Sequence, residues 1–194
     1  DMLGDLTEKD VLEVGIGVGR SAREVLKRGC RRLTGLDISP KALAAARVDL
    51  AEFPNLELVL TDICDFRRDS SFDLAFSVLT LMHVEDKCKA LGNILACLRS
   101  GGHMVLSIDR ECDCLDFGEW TVRLSPWRPE QYADALAHIG CQVAPMVPLI
   151  DTWISPKGKK SDTYGAQVAT LIKATKPYGL SNNGVHGRLA SSPP

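Results

Sequence analysis

Three glycines alternate in the stretch DVLEVGIGVGR: Gly15, Gly17 and Gly19, behind an apolar run that carries one acid, Glu13. Glycine lets a backbone turn tightly and approach a ligand with no Cβ in the way, so a run like this cradles a nucleotide-like ligand. The spacing narrows the choice. A P-loop ends in Gly-Lys-Ser/Thr, and no such triplet closes this run. A dinucleotide fingerprint needs G-x-G-x-x-G; Gly15 and Gly17 fit, but Arg20 occupies the third glycine position. Glu13 would do little good beside a pyrophosphate and would help a cationic ligand.

Two more acids and one histidine stand at spaced positions. Asp37 lies in LDIS and Asp62 in TDICDF, each at the end of an apolar run. His83 lies in LTLMHVED, and an imidazole with a pKa near neutral can take a proton from a hydroxyl or a nitrogen. Each also has a plainer reading: Asp37 and Asp62 as turn formers, His83 as a helix-entry residue that shapes a pocket. His103, His138 and His186 read as structural or solvated, and Asp73 as a turn residue. Cys112 and Cys114 form a C-x-C pair, but no second Cys or His pair lies near enough to complete four ligands, so no metal is expected.

These residues must be held by regular elements, and the pattern supplies them. Short apolar runs at 11–14, 32–39, 56–62, 72–80 and 103–109 read as buried strands. Between them, 21–29, 40–53 and the stretch DKCKALGNILACLR from Asp86 have helical spacing. Pro40 stands at a helix start, where its missing N–H costs nothing. Alternating strands and helices predict a doubly wound, mostly parallel α/β sheet with helices on both faces. After a polar segment at 110–127, a helix is expected at 129–140. A sixth strand is expected at 141–151, weakened by Pro145 and Pro148, and a seventh at 164–175 in an antiparallel hairpin with it. One domain over 1–175 and a polar, disordered tail over 176–194 are expected.

EVGIGVG, with LDIS, TDICDF, FDLAFSVLTLMHV and LRSGGHMVLSI following in order, resembles the class I S-adenosylmethionine-dependent methyltransferases over about residues 10–109. The resemblance implies a seven-strand Rossmann-like sheet whose last strand runs antiparallel. It also implies a cofactor, S-adenosyl-L-methionine, held by Glu13, Gly15, Gly17, Gly19, Asp37, Ile38, Asp62, Ile63 and Ser77. Asp37 would accept from the ribose hydroxyls and Asp62 from the adenine amino group. Ile38 and Ile63 would sandwich the adenine, Glu13 would orient the amino acid tail, and the backbone near Ser77 would reach its ammonium group. The implied reaction is in-line methyl transfer to an O, N or C nucleophile, with His83 as the candidate base. An NAD(P)-binding oxidoreductase, and a module of this fold that binds the cofactor without turnover, remain alternatives.

The bulk numbers bound the partners. With a net charge of −2 over 194 residues, the chain has no general positive field for a nucleic-acid backbone. The Asn/Asp-Pro-Pro-aromatic motif of amino-base methyltransferases is absent after the fourth strand, so a small-molecule acceptor is expected. No apolar run is long enough to span a membrane, and the first residues are too polar for a signal peptide. Seven scattered cysteines, an odd number, suggest a reducing compartment, hence the cytoplasm, with a monomer or homodimer expected. Two loops should flank the acceptor. One carries Glu111, Asp113, Asp116, Glu119, Trp120 and Trp127; the other carries Trp153, Lys157, Lys159, Lys160 and Tyr164. They could bind a small polar or zwitterionic acceptor, or simply pair with each other. The basic cluster KRGCRR at 27–32 reads as a solvated face.

Overall fold

The computed structural model describes residues 2–109, 114–116, 121–125, 127–152, 154–155 and 158–182. Five strands come first: β1 (Asp10–Val14), β2 (Arg32–Asp37), β3 (Leu56–Leu60), β4 (Phe72–Val78) and β5 (Leu98–Asp109). They alternate with helices α1 (Arg20–Lys27), α2 (Pro40–Asp49) and α3 (Lys87–Cys97). All pair in parallel, in the order β3-β2-β1-β4-β5. The chain therefore moves outward from β1 to β3, then crosses back to β4, which leaves a switch point between the carboxyl ends of β1 and β4.

The second part holds β6 (Cys114–Asp116), β7 (Thr121–Arg123), α4 (Pro129–His138), β8 (Gln142–Val143), β9 (Val147–Ile150) and β10 (Gln167–Thr175). β10 runs antiparallel against β5, as the hairpin reading requires. The sixth strand differs from expectation. It is split into β8 and β9, each antiparallel to β10, so the sheet has eight strands instead of seven. Pro145 and Pro148 lack the N–H that a continuous ladder needs. The segment at 110–127 also differs, because β6 and β7 pair into a small antiparallel ribbon of their own.

Side chains on alternating strand positions feed two cores. On one face Val11, Leu33, Leu74 and Phe76 pack with Val25 and Leu26 of α1 and Leu43 of α2. On the other, Leu12, Leu36, Ala75 and Met104 pack with Leu91 and Ile94 of α3 and Tyr132 and Leu136 of α4. Local signals set the helix starts. The Ser39 Oγ accepts from Ala42 N–H at 3.2 Å ahead of Pro40, and Asp86 Oδ1 accepts from Lys89 N–H at 2.9 Å. Asp73 is the structural residue expected: it accepts from Asp10 N–H at 2.9 Å and from Arg99 at 2.9 Å. Within the cluster at 27–32, Arg31 is exposed and pairs with Asp10 at the sheet end opposite the switch point.

Residues 176–182, read from sequence as the start of the tail, pack on the domain. Lys176 is buried, and its Nζ donates to Leu95 O, Leu98 O and Asn182 Oδ1, which satisfies carbonyls at the end of α3. Residues 183–194, with His186, lie outside the described residues. Among the described residues no helix is long and apolar enough to cross a membrane, and no cluster of His, Cys, Asp or Glu could hold a metal.

Candidate cofactor site

A cavity of about 620 Å³ opens at the switch point. Gly15 and Gly17 form one wall, with Asp37 and Ile38 beside them at the end of β2. Asp62 and Ile63 follow β3, and His83 follows β4. Tertiary folding thus brings seven of the residues read from sequence into one pocket.

The glycine run folds as it does because β1 ends there and α1 begins at once. Gly15, Gly17 and Gly19 all have positive φ, at 77°, 55° and 89°, where a Cβ is strained. They differ in what surrounds them. A Cβ on Gly15 would lie 2.2 Å from Thr80 Oγ1, and one on Gly19 would lie 2.5 Å from Leu50 Cδ1. A Cβ on Gly17 would meet nothing within 4 Å, so it would project into open space at the cavity wall. Gly19 is therefore a packing residue at the α1 N-cap and does not line the cavity.

Asp37 braces the loop. Its Oδ2 accepts from Gly17 N–H and its Oδ1 from Ser39 N–H, both at 2.8 Å, which ties the glycine run to the entry of α2. Each oxygen keeps a lone pair for a further donor. Asp62 is exposed and forms a tight turn, accepting from Cys64 N–H at 2.8 Å. That bond commits the Cys64 N–H, which is then not free to donate to a ligand. Ile63 is buried at 4% exposure while Ile38 stands out at 70%, so one apolar flank is fixed and the other projects freely.

Glu13 and Ser77 do not line the cavity. Ser77 is buried and its Oγ donates to Val14 O at 3.0 Å, stitching β4 to β1. Glu13 lies beneath the glycine run, 2% exposed, and its Oε2 has no hydrogen-bond partner. Burial, and then the nearby charge of Asp37, push its carboxyl well above the usual range. An orphaned buried carboxyl oxygen behind a glycine loop is a group without a structural role of its own.

The sequence reading missed Thr80, Glu85 and Asp86, all in the lining, where Cys64 also stands. Thr80 carries no local signal, since only its packing against Gly15 matters. Leu79 precedes it at φ 50°, an uncommon conformation for a branched residue and a local strain at the cavity wall. The Cys64 thiol is pushed up to about 11 by burial and then by Asp62, so it stays neutral. His83 sits in a 3-10 turn, Leu81–His83, with its imidazole held below the usual value by partial burial and then by Lys87. Overall the lining carries four carboxylates, Asp37, Asp62, Glu85 and Asp86, and among the described residues no Lys or Arg.

Of the two loops proposed to flank the acceptor, Glu111, Cys112, Asp113, Glu119, Trp120, Trp153 and Lys157 lie outside the described residues. Trp127 packs edge-on against Tyr132, ring centroids 5.3 Å apart. Lys160 sits over the Tyr164 ring at 4.1 Å, so these two members of the hairpin loop engage each other.

Comparison with known proteins agrees with this geometry. Residues 12–106 match the family model described as a methyltransferase domain. Malonyl-[acyl-carrier protein] O-methyltransferase 1 of Ilyobacter polytropus is 30% identical over 105 residues, 54% of this chain and 39% of that protein. The chain spans about half or less of the length of the first curated relatives it matches. A Mesorhizobium loti S-adenosylmethionine dependent methyltransferase superposes with a TM-score of 0.73 at 21% identity, over 90% of this chain and 94% of that one. N-methyltransferase NodS of Bradyrhizobium japonicum, solved in complex with S-adenosyl-L-homocysteine, gives 0.69 at 21% identity, over 91% and 82%. At these identities the structural likenesses establish the fold.

Proposed function

We propose that this chain, whose residues 12–106 match a methyltransferase domain, is a class I S-adenosylmethionine-dependent methyltransferase that binds S-adenosyl-L-methionine in the switch-point cavity and methylates an O, N or C nucleophile of a small molecule. The observation that carries the reading is the charge of the lining: four carboxylates and, among the described residues, no Lys or Arg. A dinucleotide would bring a pyrophosphate to that surface and be repelled; a sulfonium with an ammonium tail is attracted.

The residues present fit the group. Asp37 has acceptor capacity left for the ribose hydroxyls after bracing Gly17 and Ser39. Asp62 and the Ile63 N–H suit the amino group and a ring nitrogen of adenine, with Ile38 and Ile63 on its two faces. Gly15 and Gly17 admit the amino acid tail. Glu13 offers its unpartnered Oε2 from behind the loop, and Gly19 and Ser77 hold the wall from behind. Bound there, S-adenosylmethionine supplies a methyl group already activated on sulfur, so the protein's task is to orient the acceptor and exclude water. His83, at the cavity wall, holds or takes the acceptor's proton. We infer further that the acceptor is a metabolite, with no nucleic acid or membrane involved. The chain would work in the cytoplasm as a monomer or homodimer. Residues 1–175 would form one domain together with the packed segment 176–182. The even mixture of charges supports the absence of nucleic acid, and the scattered cysteines support the cytoplasm.

Calorimetry with S-adenosylhomocysteine and with NAD tests the cofactor. Binding of the first and not the second is expected. Asp37→Ala should weaken it by at least about 1.5 kcal/mol, the value of hydrogen bonds to a charged acceptor. Absence of heat with S-adenosylhomocysteine at high micromolar concentration would remove the proposal.

A further inference from the structure

Lys87 is a lysine in the wrong place for stability. It opens α3, where the helix dipole disfavours a cation, yet it is only 1% exposed. Among the described residues no carboxylate pairs with it. Its ammonium donates to Val84 O at 2.6 Å and faces the Trp127 ring at 5.9 Å. Burial, with no counter-charge against it, lowers its affinity for the proton. A buried cation answered by one carbonyl and an indole leaves N–H donors unspent. A second buried polar group lies in the same cluster: Tyr132 is 1% exposed, packs against Trp127, and its Oη has no partner.

This cluster adjoins the candidate site. Val84, whose oxygen holds Lys87, lines the cavity beside His83. The chain leading to Trp127 is tied to the same turn, with Ser125 N–H donating to Met82 O at 3.0 Å. Lys87 thus stands one carbonyl behind the cavity wall, on a flexible four-carbon stem.

Building on the methyltransferase reading, we propose that Lys87 and Tyr132 recognise a carboxylate on the methyl acceptor, with Trp127 as the apolar floor beneath it. Two donors from two side chains match two carboxylate oxygens. The anion would meet the positive end of α3 as well, so three features that cost stability in the empty protein become favourable together. The acceptor class is then an organic acid whose nucleophile is turned toward His83.

The test uses the whole chain and matched acceptors: 4-hydroxybenzoate and 3,4-dihydroxybenzoate, phenylalanine and glycine, each against its amide. S-adenosylhomocysteine binding is measured first; if it is absent, the cofactor reading fails and this proposal falls with it. With binding present, the acid of at least one pair should have a kcat/KM at least tenfold above its amide. Lys87→Met should abolish that preference and Lys87→Arg should keep part of it. Tyr132→Phe should reduce it severalfold, with cofactor affinity unchanged in all three. The melting temperature of Lys87→Met should equal or exceed that of the wild type. A structural lysine predicts the reverse, a lowered melting temperature with the preference intact. Equal use of acid and amide, no acid methylated, or a preference that survives both Lys87→Met and Tyr132→Phe overturns the proposal. If Lys87→Met does not fold, the proposal is also overturned, because it requires a lysine the fold does not need.

Discussion

Gly15→Ala and Gly17→Ala, two residues apart, should fail in opposite ways. Both glycines have positive φ, so an alanine at either costs about 1–2 kcal/mol for the left-handed backbone. A less flexible unfolded chain offsets about 0.4–1 kcal/mol of that. At Gly15 a second cost follows, because the new Cβ would sit 2.2 Å from Thr80 Oγ1 and 2.3 Å from Thr80 Cγ2. Overpacking of this kind adds about 1–3 kcal/mol. Gly15→Ala should therefore lose about 2–4 kcal/mol, and Gly17→Ala, with nothing within 4 Å, about 1 kcal/mol. Urea denaturation measures both. Calorimetry should show the converse for the cofactor: the Gly17→Ala methyl group occupies the cavity wall and should abolish S-adenosylhomocysteine binding in a protein that remains folded. Thr80→Ala in the Gly15→Ala background should recover part of the loss, with a coupling of about 1 kcal/mol between the two positions. Equal stability of the two glycine variants, or wild-type affinity in Gly17→Ala, would refute the argument.

Two further outcomes concern titration. Glu13 is raised well above 4.5 in the folded state, first by burial and then by Asp37, so the folded protein holds that proton more tightly than the unfolded chain does. Wild-type stability should then decline as pH climbs from about 4.5 toward the raised value. Glu13→Gln, which does not titrate, should gain stability over the wild type above that window and none below it; parallel stability curves across pH would show that Glu13 is not desolvated. His83 is held below 6.5 by burial and by Lys87, so its neutral, base-competent form persists to lower pH. The acid limb of kcat/KM should fall below 6.5, and His83→Gln should lower kcat by about 10²–10⁴-fold and remove that limb. Retention of wild-type kcat would return His83 to a pocket-shaping role.

Much of the fold was legible because its signals are local. Short apolar runs alternate with helical spacing, and Pro40, Ser39 and Asp86 mark helix starts through contacts within three residues. Pro145 and Pro148 flagged the weak sixth strand, although only pairing with β10 showed it to be two strands. The ribbon of β6 and β7 left no clear trace, because three-residue strands are too short to establish a period.

The candidate site divides along the same line. Sequence by itself determined that glycines follow the first strand and that acids close the second and third, since each is a residue type at a strand end. It also determined the family likeness those positions carry. Tertiary structure decided which of these residues reach the cavity. Asp37 and Asp62 do, while Ser77 and Gly19 turn to packing and Glu13 is sealed beneath the loop. It also decided that Gly15 must be glycine because Thr80, 65 positions later in the chain, crosses it. And it decided that a lysine at the start of α3 is enclosed without a counter-charge. Burial and the approach of distant segments belong to the packed chain, and no local pattern encodes them.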